Sequence, residues 1–343
     1  MPRRGQNPQR WAAPLDEPPP MTATVLVHIP SLDGYWSESL DVLRLCLDSL
    51  GRTLPENAEV VVLDNASCAE VRDELRQRQD AEEIDQLLLS RHNLGKVGGW
   101  NLLFAAARGE SVAYCDSDVF FLPGWWEATA AILGAFPEAA MVTAQPIPGD
   151  LSLHCDATLA GAAASADVEL EEGDDLIPSS YVESHRMGLG ETPEKYADRI
   201  AQRREVRLRR NAGGTQVEAY VSASHFQFVL RRSAIEKFFP LPTSIPLGDD
   251  AAFDALLDET GAWRLSTVDY LVHHLGNEVP DLAAELPWAD STVLAQFGAA
   301  PRAQPRRTGG WSHWAAYWAA QRGPVRKLLK TAHRWTFDLL YPN

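Results

Sequence analysis

Residues 111–118 read SVAYCDSD, a short apolar segment that ends in two aspartates separated by one residue. The apolar part predicts a buried β-strand, and Asp116-Ser117-Asp118 predicts a tight turn directly after it. Two carboxylates on one side of a turn supply the hard oxygen ligands that Mg²⁺ and Mn²⁺ prefer. The same three residues also suit a solvated turn with an Asx cap. The surrounding strands therefore decide how the motif is interpreted.

Similar apolar segments alternate with amphipathic helical patterns on both sides of this one. The strands are predicted at residues 22–29, 58–63, 84–89, 111–115 and 139–144, and the helices near 40–50, 69–79, 100–107 and 125–136. This alternation predicts βαβ units and a parallel sheet with right-handed crossovers. Ligands of such sheets bind beyond the carboxyl ends of the strands. We therefore expect Pro30, Asp64 and Asp116–Asp118 to converge on one crevice.

The remaining chain divides by composition. A Pro- and Arg-rich start predicts a disordered leader, and the βαβ rhythm stops after Pro148. The predicted parts are a leader (1–20), a ligand-binding half (21–150), a second half (151–300) with an insertion at 150–215, and a basic tail (301–343). Within the insertion, residues 193–210 are predicted to be a charged helical stretch.

The charge distribution limits the class of ligand. The formal net charge is −16, although the chain after Pro301 contains eight Lys or Arg and one Asp. The body is therefore strongly acidic and is not expected to bind a nucleic-acid backbone. It can still bind a nucleoside diphosphate if a divalent cation lies between carboxylates and phosphates.

Cysteine spacing and hydropathy give an expectation for the cellular compartment of the protein. The four cysteines form no CxxC pair, and the sequence contains neither an apolar stretch of membrane-spanning length nor a secretory signal pattern. These features predict reduced thiols and a cytoplasmic protein. The tail contains four of the eleven tryptophans among basic residues. It is interpreted either as a helix contacting the inner membrane surface or a partner, or as a helix covering the domain itself.

Four segments together carry a resemblance to a known family. The order VLVHIPSLDGYW, VVVLDNAS, RHNLGKVGGWN and YCDSDVFFLPGW resembles the nucleotide-binding half of family 2 glycosyltransferases with the GT-A fold. The resemblance covers residues 22–145 clearly and 222–276 more loosely. It implies a Rossmann-like, mixed but mostly parallel central sheet flanked by helices, to which this chain adds the insertion and the helical tail.

The resemblance also implies roles for individual residues of the donor site. Asp64 matches the acid that contacts the nucleotide base, and Pro30 follows the first strand. Asn93, Gly95 and Asn101 match a loop beneath the nucleotide. Asp116 matches a ligand of ribose or metal, Ser117 follows it, and Asp118 matches a metal ligand. Two departures from the family pattern, Asp33 where Asn is common and the lack of an acid soon after Ser67, bear on the base preference.

Asp249-Asp250, at the start of a predicted helix, resembles the acidic pair of this family. By that resemblance Asp250 is the catalytic base of an inverting transfer, with Asp249 beside it. The alternative is a pair of helix N-terminal acids that face the macrodipole. Asp254 and Asp258, one and two turns further along, are expected to be solvated.

Histidines near the end of the fold complete the predicted site. His274 fits the family's metal-ligating histidine, with His273 as the alternative, and a neutral imidazole suits an oxygen-rich Mn²⁺ shell. His225 is expected on a strand that borders the acceptor pocket.

The predicted function is a Mn²⁺- or Mg²⁺-dependent glycosyltransferase. It would move a sugar from a UDP- or GDP-sugar to an acceptor hydroxyl, with inversion and one sugar per encounter, since the QxxRW motif of processive synthases is absent from the sequence. Two alternatives stay open. One is a sugar-phosphate nucleotidyltransferase on a similar fold, and the other is a non-catalytic scaffold that acts through the Trp-rich tail.

Overall fold

The computed structural model describes residues 17–149, 151, 154–243 and 250–297. Asp249, most of the predicted leader and the whole of the basic tail at 301–343 lie outside the described residues. The described part is a mixed α/β fold with a large central sheet flanked by helices, which confirms the expected fold class.

The strands and helices follow one another in the predicted alternation up to residue 143. The strands are β1 (Met21–Val27), β2 (Glu59–Asn65), β3 (Gln86–Ser90), β4 (Ser111–Asp116), β5 (Val119–Phe121), β6 (Ala139–Thr143), β7 (Val168–Gly173), β8 (Glu205–Ala212), β9 (Thr215–Val221), β10 (Gln227–Arg231), β11 (Trp263–Ser266) and β12 (Val272–His274). The helices are α1 (Ser39–Thr53), α2 (Ala69–Asp80), α3 (Gly95–Ala106), α4 (Trp125–Ala135), α5 (Asp156–Ala164), α6 (Ser179–Gly188), α7 (Pro193–Arg199), α8 (Arg232–Phe238), α9 (Asp250–Glu259), α10 (Leu282–Glu285) and α11 (Ser291–Ala295).

The central sheet has the strand order β3-β2-β1-β4-β10-β6-β11-β9-β8-β7. Strands β3, β2, β1 and β4 are parallel, and β10 runs antiparallel between β4 and β6. Strand β11 is parallel to β6, so these six strands share one direction with β10 as the exception. A second, two-stranded sheet pairs β5 with β12 and lies next to the exit of β4.

Apolar side chains on both faces of the sheet hold the helices in place. On one face α1, α2 and α4 contribute Leu47, Leu75 and Ile132 to a buried cluster. On the other face α3 and α9 contribute Trp100 and Phe253 to a second cluster. Burial on both faces explains why the strands read as continuous apolar runs.

Helix α3 begins earlier than the sequence pattern indicates. The glycine-rich segment before Trp100 is helical from Gly95 onwards, where a loop was expected. Side chains outside the helix provide its start: Asn65 Oδ1 accepts from the backbone N–H of Leu94, and Asn93 Oδ1 accepts from that of Gly95, both at 2.8 Å. These bonds satisfy N–H groups that a helix start leaves without intrahelical partners.

The insertion corrects another expectation. The charged stretch 193–210 is helical only as far as Arg199, and from Glu205 it forms β8. Strands β7, β8 and β9 make an antiparallel meander that extends the central sheet beyond β11. The insertion therefore adds β7 and β8 to the sheet edge beyond β9 and places α6 beside β12.

Two further observations concern the whole described part of the chain. All four cysteines are free thiols. Among the described residues, no helix has the length and apolar character needed to cross a bilayer.

Candidate active site

Three strands end at the same level and define the candidate crevice. Val27 of β1 pairs with Asp64 of β2, and Leu26 of β1 pairs with Asp116 of β4. The two aspartates therefore flank β1 on its two sides, at the carboxyl edge of the sheet. This is the edge at which open α/β sheets bind ligands.

The turn after β2 fixes Asp64. Its Oδ1 accepts from the backbone N–H of Ser67 at 2.9 Å, and the Ser67 hydroxyl accepts from the N–H of Ile29 at 3.0 Å. Asp64 is 0 % exposed, and its Oδ2 is buried without a hydrogen-bond partner among the described residues. A buried polar atom left in this way costs about 1–3 kcal/mol. One carboxylate oxygen is therefore left without a partner in the described chain, at the carboxyl end of β2.

A network of amides connects the ends of β1 and β2 to the start of α3. Asn65 Nδ2 donates to Asn93 Oδ1 at 3.0 Å, and His28 Nδ1 lies 2.7 Å from the carbonyl oxygen of Asn65. The other ring nitrogen of His28 lies 3.1 Å from Asn93 Nδ2. Asn93 and Gly95 are thus brought to the same edge as Asp64.

The other predicted donor-site residues have different surroundings. Asn101 faces the chain after α8, where its amide donates to the carbonyl oxygen of Leu241 and accepts from the N–H of Leu241, both at 2.8 Å. Both ends of its side chain are therefore occupied by backbone. Pro30 is exposed just beyond β1, and Ser117 is half-buried in the turn between β4 and β5.

Asp116 is held by a lysine that the sequence analysis did not single out. Lys96 Nζ lies 2.8 Å from Asp116 Oδ2, and the Tyr114 hydroxyl donates to Asp116 Oδ1 at 2.5 Å. The ammonium also lies 5.8 Å from the ring centroids of Trp100 and Tyr114. The only signal in the sequence is the position of Lys96 in the glycine-rich segment, directly after Gly95.

Asp118 and His274 meet across the small sheet. His274 pairs with Val119, the backbone N–H of Leu275 donates to the carbonyl oxygen of Asp118 at 2.7 Å, and His274 Nε2 lies 3.4 Å from Asp118 Oδ2. Asp118 Oδ1 is buried and has no hydrogen-bond partner within the described chain. Burial raises the pKa of Asp118, while the positive charge of a protonated His274 lowers it.

The orientation of His274 is fixed from its other side. Its Nδ1 lies 2.7 Å from the carbonyl oxygen of Gly188, the last residue of α6. Because a carbonyl oxygen only accepts, Nδ1 carries the hydrogen and Nε2 directs its lone pair toward Asp118 in the neutral ring. A second residue that fixes the tautomer is typical of metal-ligating histidines.

His273 has different partners. It is 0 % exposed, its Nε2 lies 2.6 Å from Glu285 Oε2, and its Nδ1 lies 3.0 Å from the Tyr270 hydroxyl. Both ring nitrogens are therefore used inside the fold. His274 is the histidine that the structure brings to Asp118.

Asp250 begins α9 beside His225. Its Oδ2 lies 3.8 Å from His225 Nδ1, and its side chain is 42 % exposed. The expectation that Asp254 is solvated is wrong, because Asp254 is 6 % exposed and pairs with His225 Nε2 at 2.8 Å and with the Arg264 guanidinium at 2.7 Å. Asp258 is half-buried and accepts from the backbone N–H of Ala157 at 2.8 Å, which also corrects its expected solvation.

The two parts of the site adjoin through Phe226. Its ring packs edge-on against His274 with centroids 5.5 Å apart, its carbonyl oxygen accepts from the N–H of Asp116 at 2.8 Å, and it follows His225 in the chain. Among the described residues, no three His, Cys, Asp or Glu side chains converge as a complete metal-binding set. Asp118 and His274 lie together as a pair of side chains.

The comparison with family models matches one segment of the chain. Residues 29–153 match the model described as glycosyl transferase family 2. This segment is similar to family 2 glycosyltransferases. It contains Asp64, Asn93, Lys96 and the two aspartates of the DxD motif, whereas His225, Asp250 and His274 lie beyond the matched residues.

Solved structures similar to this chain include glycosyltransferases. Staphylococcus aureus TarS 1–349 with UDP-GlcNAc is 19 % identical over 37 % of this chain and 34 % of its own, with a TM-score of 0.29. The mannosyltransferase PcManGT of Pyrobaculum calidifontis, with GDP-Man and Mn²⁺, is 16 % identical over 97 % of this chain and 86 % of its own, with a TM-score of 0.45. GalNAc-T7 with UDP, GalNAc and Mn²⁺ is 14 % identical over 81 % of this chain and 47 % of its own, with a TM-score of 0.45.

At TM-scores of 0.45 and below, these likenesses are too distant to assign a substrate or the role of a residue. The chain spans about a third of the length of the TarS chain in the first of them. No curated protein matches the chain. The likeness to family 2 glycosyltransferases is therefore limited to the segment at 29–153.

Proposed function

We propose that this chain is a metal-dependent glycosyltransferase that moves a sugar from a nucleotide-sugar donor to an acceptor hydroxyl. One observation carries the proposal: Asp64 and the DxD turn with His274 converge at the carboxyl edge of the family 2-like segment. Asp64 would receive the nucleotide base, and Asn93 and Gly95 would lie beneath the nucleotide. UDP- and GDP-sugars are the proposed donors.

The residues at the DxD turn fit a divalent cation. Asp118 offers a buried oxygen with no partner in the described chain, and His274 directs Nε2 toward the same carboxylate. Asp118 and His274 would hold the ion, since their oxygen and imidazole donors suit Mn²⁺ or Mg²⁺. When bound, such an ion neutralises the charge that develops on the leaving diphosphate.

Asp116 and Lys96 are proposed to position the donor beside the ion. Both oxygens of Asp116 already accept hydrogen bonds, from Lys96 and Tyr114, which favours donor positioning by Asp116 over direct metal ligation. The Lys96 ammonium supplies a positive charge at the same strand end. In a crevice sheltered from water such a charge stabilises the transition state of diphosphate departure.

Asp250 is proposed as the catalytic base of a single displacement with inversion. The acceptor oxygen forms a bond to the anomeric carbon while the bond from that carbon to the donor phosphate oxygen breaks, and its electron pair leaves with the diphosphate. The hydroxyl proton passes to Asp250, whose carboxylate is 42 % exposed and accessible to an acceptor. One sugar would be added per encounter. Asp249, outside the described residues, is proposed to assist this base.

The test measures donor-site binding by thermal unfolding with Mn²⁺ and UDP or GDP. Wild type is expected to gain several degrees in Tm with one of the nucleotides only when Mn²⁺ is present. Asp118→Asn should lose that gain, because the amide is a poor ligand for the ion. Asp73→Asn, an exposed position on α2, is the matched control and should keep it. An unchanged gain in Asp118→Asn would contradict the proposal.

A further inference from the structure

His225 lies between two carboxylates that project from one face of α9. Its Nε2 is 2.8 Å from Asp254 Oδ1, and its Nδ1 is 3.8 Å from Asp250 Oδ2. Asp250 and Asp254 are one helical turn apart, so their side chains lie above each other on the helix surface. The imidazole therefore connects a buried carboxylate to the accessible one.

Asp254 fixes the orientation and tautomer of the ring. Its second oxygen pairs with the Arg264 guanidinium at 2.7 Å, and the side chains of Asp254 and Arg264 are 9 % and 4 % exposed. A carboxylate beside a guanidinium accepts hydrogen bonds and donates none. The hydrogen in the contact with His225 must then come from the imidazole, which places it on Nε2. A neutral His225 consequently presents the Nδ1 lone pair to Asp250.

We propose that His225, oriented by Asp254, is a positioning residue for Asp250 in the transfer reaction. This inference rests on the proposed function, in which Asp250 is the base. Before transfer, Nδ1 and the Asp250 carboxylate are both acceptors and do not bond, in agreement with their 3.8 Å separation. Once Asp250 has taken the acceptor proton, its O–H donates to Nδ1. His225 thus stabilises the protonated form of the base and leaves the proton on the Asp250–His225 pair.

The surroundings of His225 restrict it to this role. The faces of its ring meet Trp100, whose ring centroid is 6.1 Å away, and the charged groups that face it are Asp250 and Asp254 from α9, with Arg264 of β11 behind Asp254. Lys96 lies by the Trp100 ring and belongs to the Asp116 pair. The arrangement of a buried aspartate, a histidine and an outward reactive group follows the logic of a hydrolase triad.

The test compares two histidine replacements in a donor-hydrolysis assay, in which water takes the place of the acceptor. Purified full-length protein is incubated with Mn²⁺ and a panel of UDP- and GDP-sugars, and release of the nucleoside diphosphate is followed against pH. In His225→Gln the amide nitrogen replaces Nε2 and keeps Asp254 satisfied, whereas in His225→Asn the amide oxygen replaces the Nδ1 lone pair near Asp250.

His225→Gln is expected to lower kcat by roughly 10- to 100-fold with the donor KM unchanged, because the donor site lies at the strand ends. Its pH profile should also differ from that of wild type, since the O–H of protonated Asp250 then has no Nδ1 acceptor. His225→Asn should retain more of kcat than the Gln variant. A merely structural histidine would instead lower Tm in both variants and leave the profile in place.

A measurement on the wild type keeps the inference testable if the variants fold poorly. Two-bond ¹H–¹⁵N NMR of the histidines should show His225 as the Nε2–H tautomer, and Asp254→Asn should change that signal. An Nδ1–H tautomer in wild type would overturn the inference.

Asp250→Asn separates this inference from the proposed function. If Asp250→Asn is inactive while both His225 variants keep the wild-type kcat and pH profile, only the role of His225 is overturned. If Asp250→Asn remains fully active, the assignment of the base is wrong and His225 loses its role with it. If wild type releases no nucleoside diphosphate from any donor of the panel, the proposed function is wrong and the role of His225 is overturned with it.

Discussion

Lys96 gives the crevice a positive charge that does not depend on a bound cation. Its ammonium contacts Asp116 at 2.8 Å, and its side chain is 24 % exposed. The pair keeps the first aspartate of the DxD turn compensated while Asp118 retains a free oxygen. The two aspartates of one motif therefore differ in environment, which is the usual way in which neighbouring carboxylates acquire different roles.

Replacing Lys96 by Met should weaken donor binding. The variant keeps the aliphatic stem against Trp100 and Tyr114 but loses the charge, so affinity for UDP or GDP with Mn²⁺ should fall about 10-fold, which corresponds to about 1.4 kcal/mol. Calorimetric titration measures it. Lys237→Met, on the exposed side of α8, is the matched control and should bind as wild type does. Equal affinity in Lys96→Met would show that the ammonium serves Asp116 alone.

Sequence reasoning found the residues whose position follows from a strand end and missed those defined by packing. Asp64, Asp116 and Asp118 follow apolar runs, so the sheet edge that they share could be predicted. The environments of His225 and Asp254 depend on Arg264, which lies on another strand. Spacing along α9 gives no information about that contact, and Asp254 was therefore expected in solvent.

At the scale of elements, the parallel strands β1, β2, β4 and β6 were predictable because they are largely buried and flanked by turn residues. The β7–β9 meander was not, because its strands are rich in charged side chains that pair across the sheet. Arg207 and Arg209 on β8 contact Glu171 on β7, and Arg209 also contacts Glu218 on β9. In sequence this alternation of arginines resembles a charged helix, since the partners that stabilise the strand are on other elements.

Helix α6 connects the insertion to the proposed metal ligand His274 through Gly188. A Cβ on Gly188 would lie 2.7 Å from the carbonyl oxygen of His274 and 3.1 Å from the His273 ring. The close approach is what allows the Gly188 carbonyl to hold His274 Nδ1. The predicted site thus requires an element that lies outside the matched family 2 segment.

Gly188→Ala should therefore impair metal binding and lower stability. Because His274 must shift, the Mn²⁺-dependent gain in Tm with UDP or GDP should disappear, and the free energy of unfolding should fall by about 1–3 kcal/mol. Urea unfolding and thermal shift measure the two effects. Gly134→Ala in α4 meets no atom within 4 Å and should gain about 0.5–1 kcal/mol with the Mn²⁺ response intact. A normal Mn²⁺ response in Gly188→Ala would show that α6 does not position His274.

At the scale of the whole molecule, acidity acts on both the site and the fold. The chain carries a formal net charge of −16, and three of its acidic residues, Asp64, Asp116 and Asp118, lie at one sheet edge. A cation in the crevice relieves repulsion among these groups as well as that of the diphosphate. Low pH is consequently expected to weaken both cation binding and folding, because α6, whose Gly188 carbonyl holds His274, contributes to both.

The acid sensitivity of the fold should arise in part from α6 and the segment that follows it. Burial lowers the pKa of His185, which contacts the Tyr196 hydroxyl, from 6.5 to about 4. The hydrogen bond from Arg199, with help from Lys195, lowers the pKa of Glu191 from 4.5 to about 2. Both folded-state values lie below those of the unfolded chain. Each group therefore stabilises the fold above its unfolded pKa and loses that contribution as pH falls toward its folded pKa.

Wild type should accordingly lose stability in two stages, between pH 6.5 and 4 as His185 is protonated and between 4.5 and 2 as Glu191 is. The first stage is worth about 2 kcal/mol. The second is worth only about 1 kcal/mol, because the Arg199 and Lys195 side chains that pair with Glu191 are more than half exposed and solvent screens their charges. Urea unfolding at pH 7, 5, 3.5 and 2 measures both. His185→Gln keeps a polar contact with Tyr196 and should have a smaller loss between pH 7 and 5 than wild type. Glu191→Gln should differ from wild type at pH 7 and converge with it near pH 2. Parallel pH dependence in wild type and His185→Gln would place the acid-sensitive group elsewhere, and the buried His273, whose pKa burial also lowers, would be the next residue to replace.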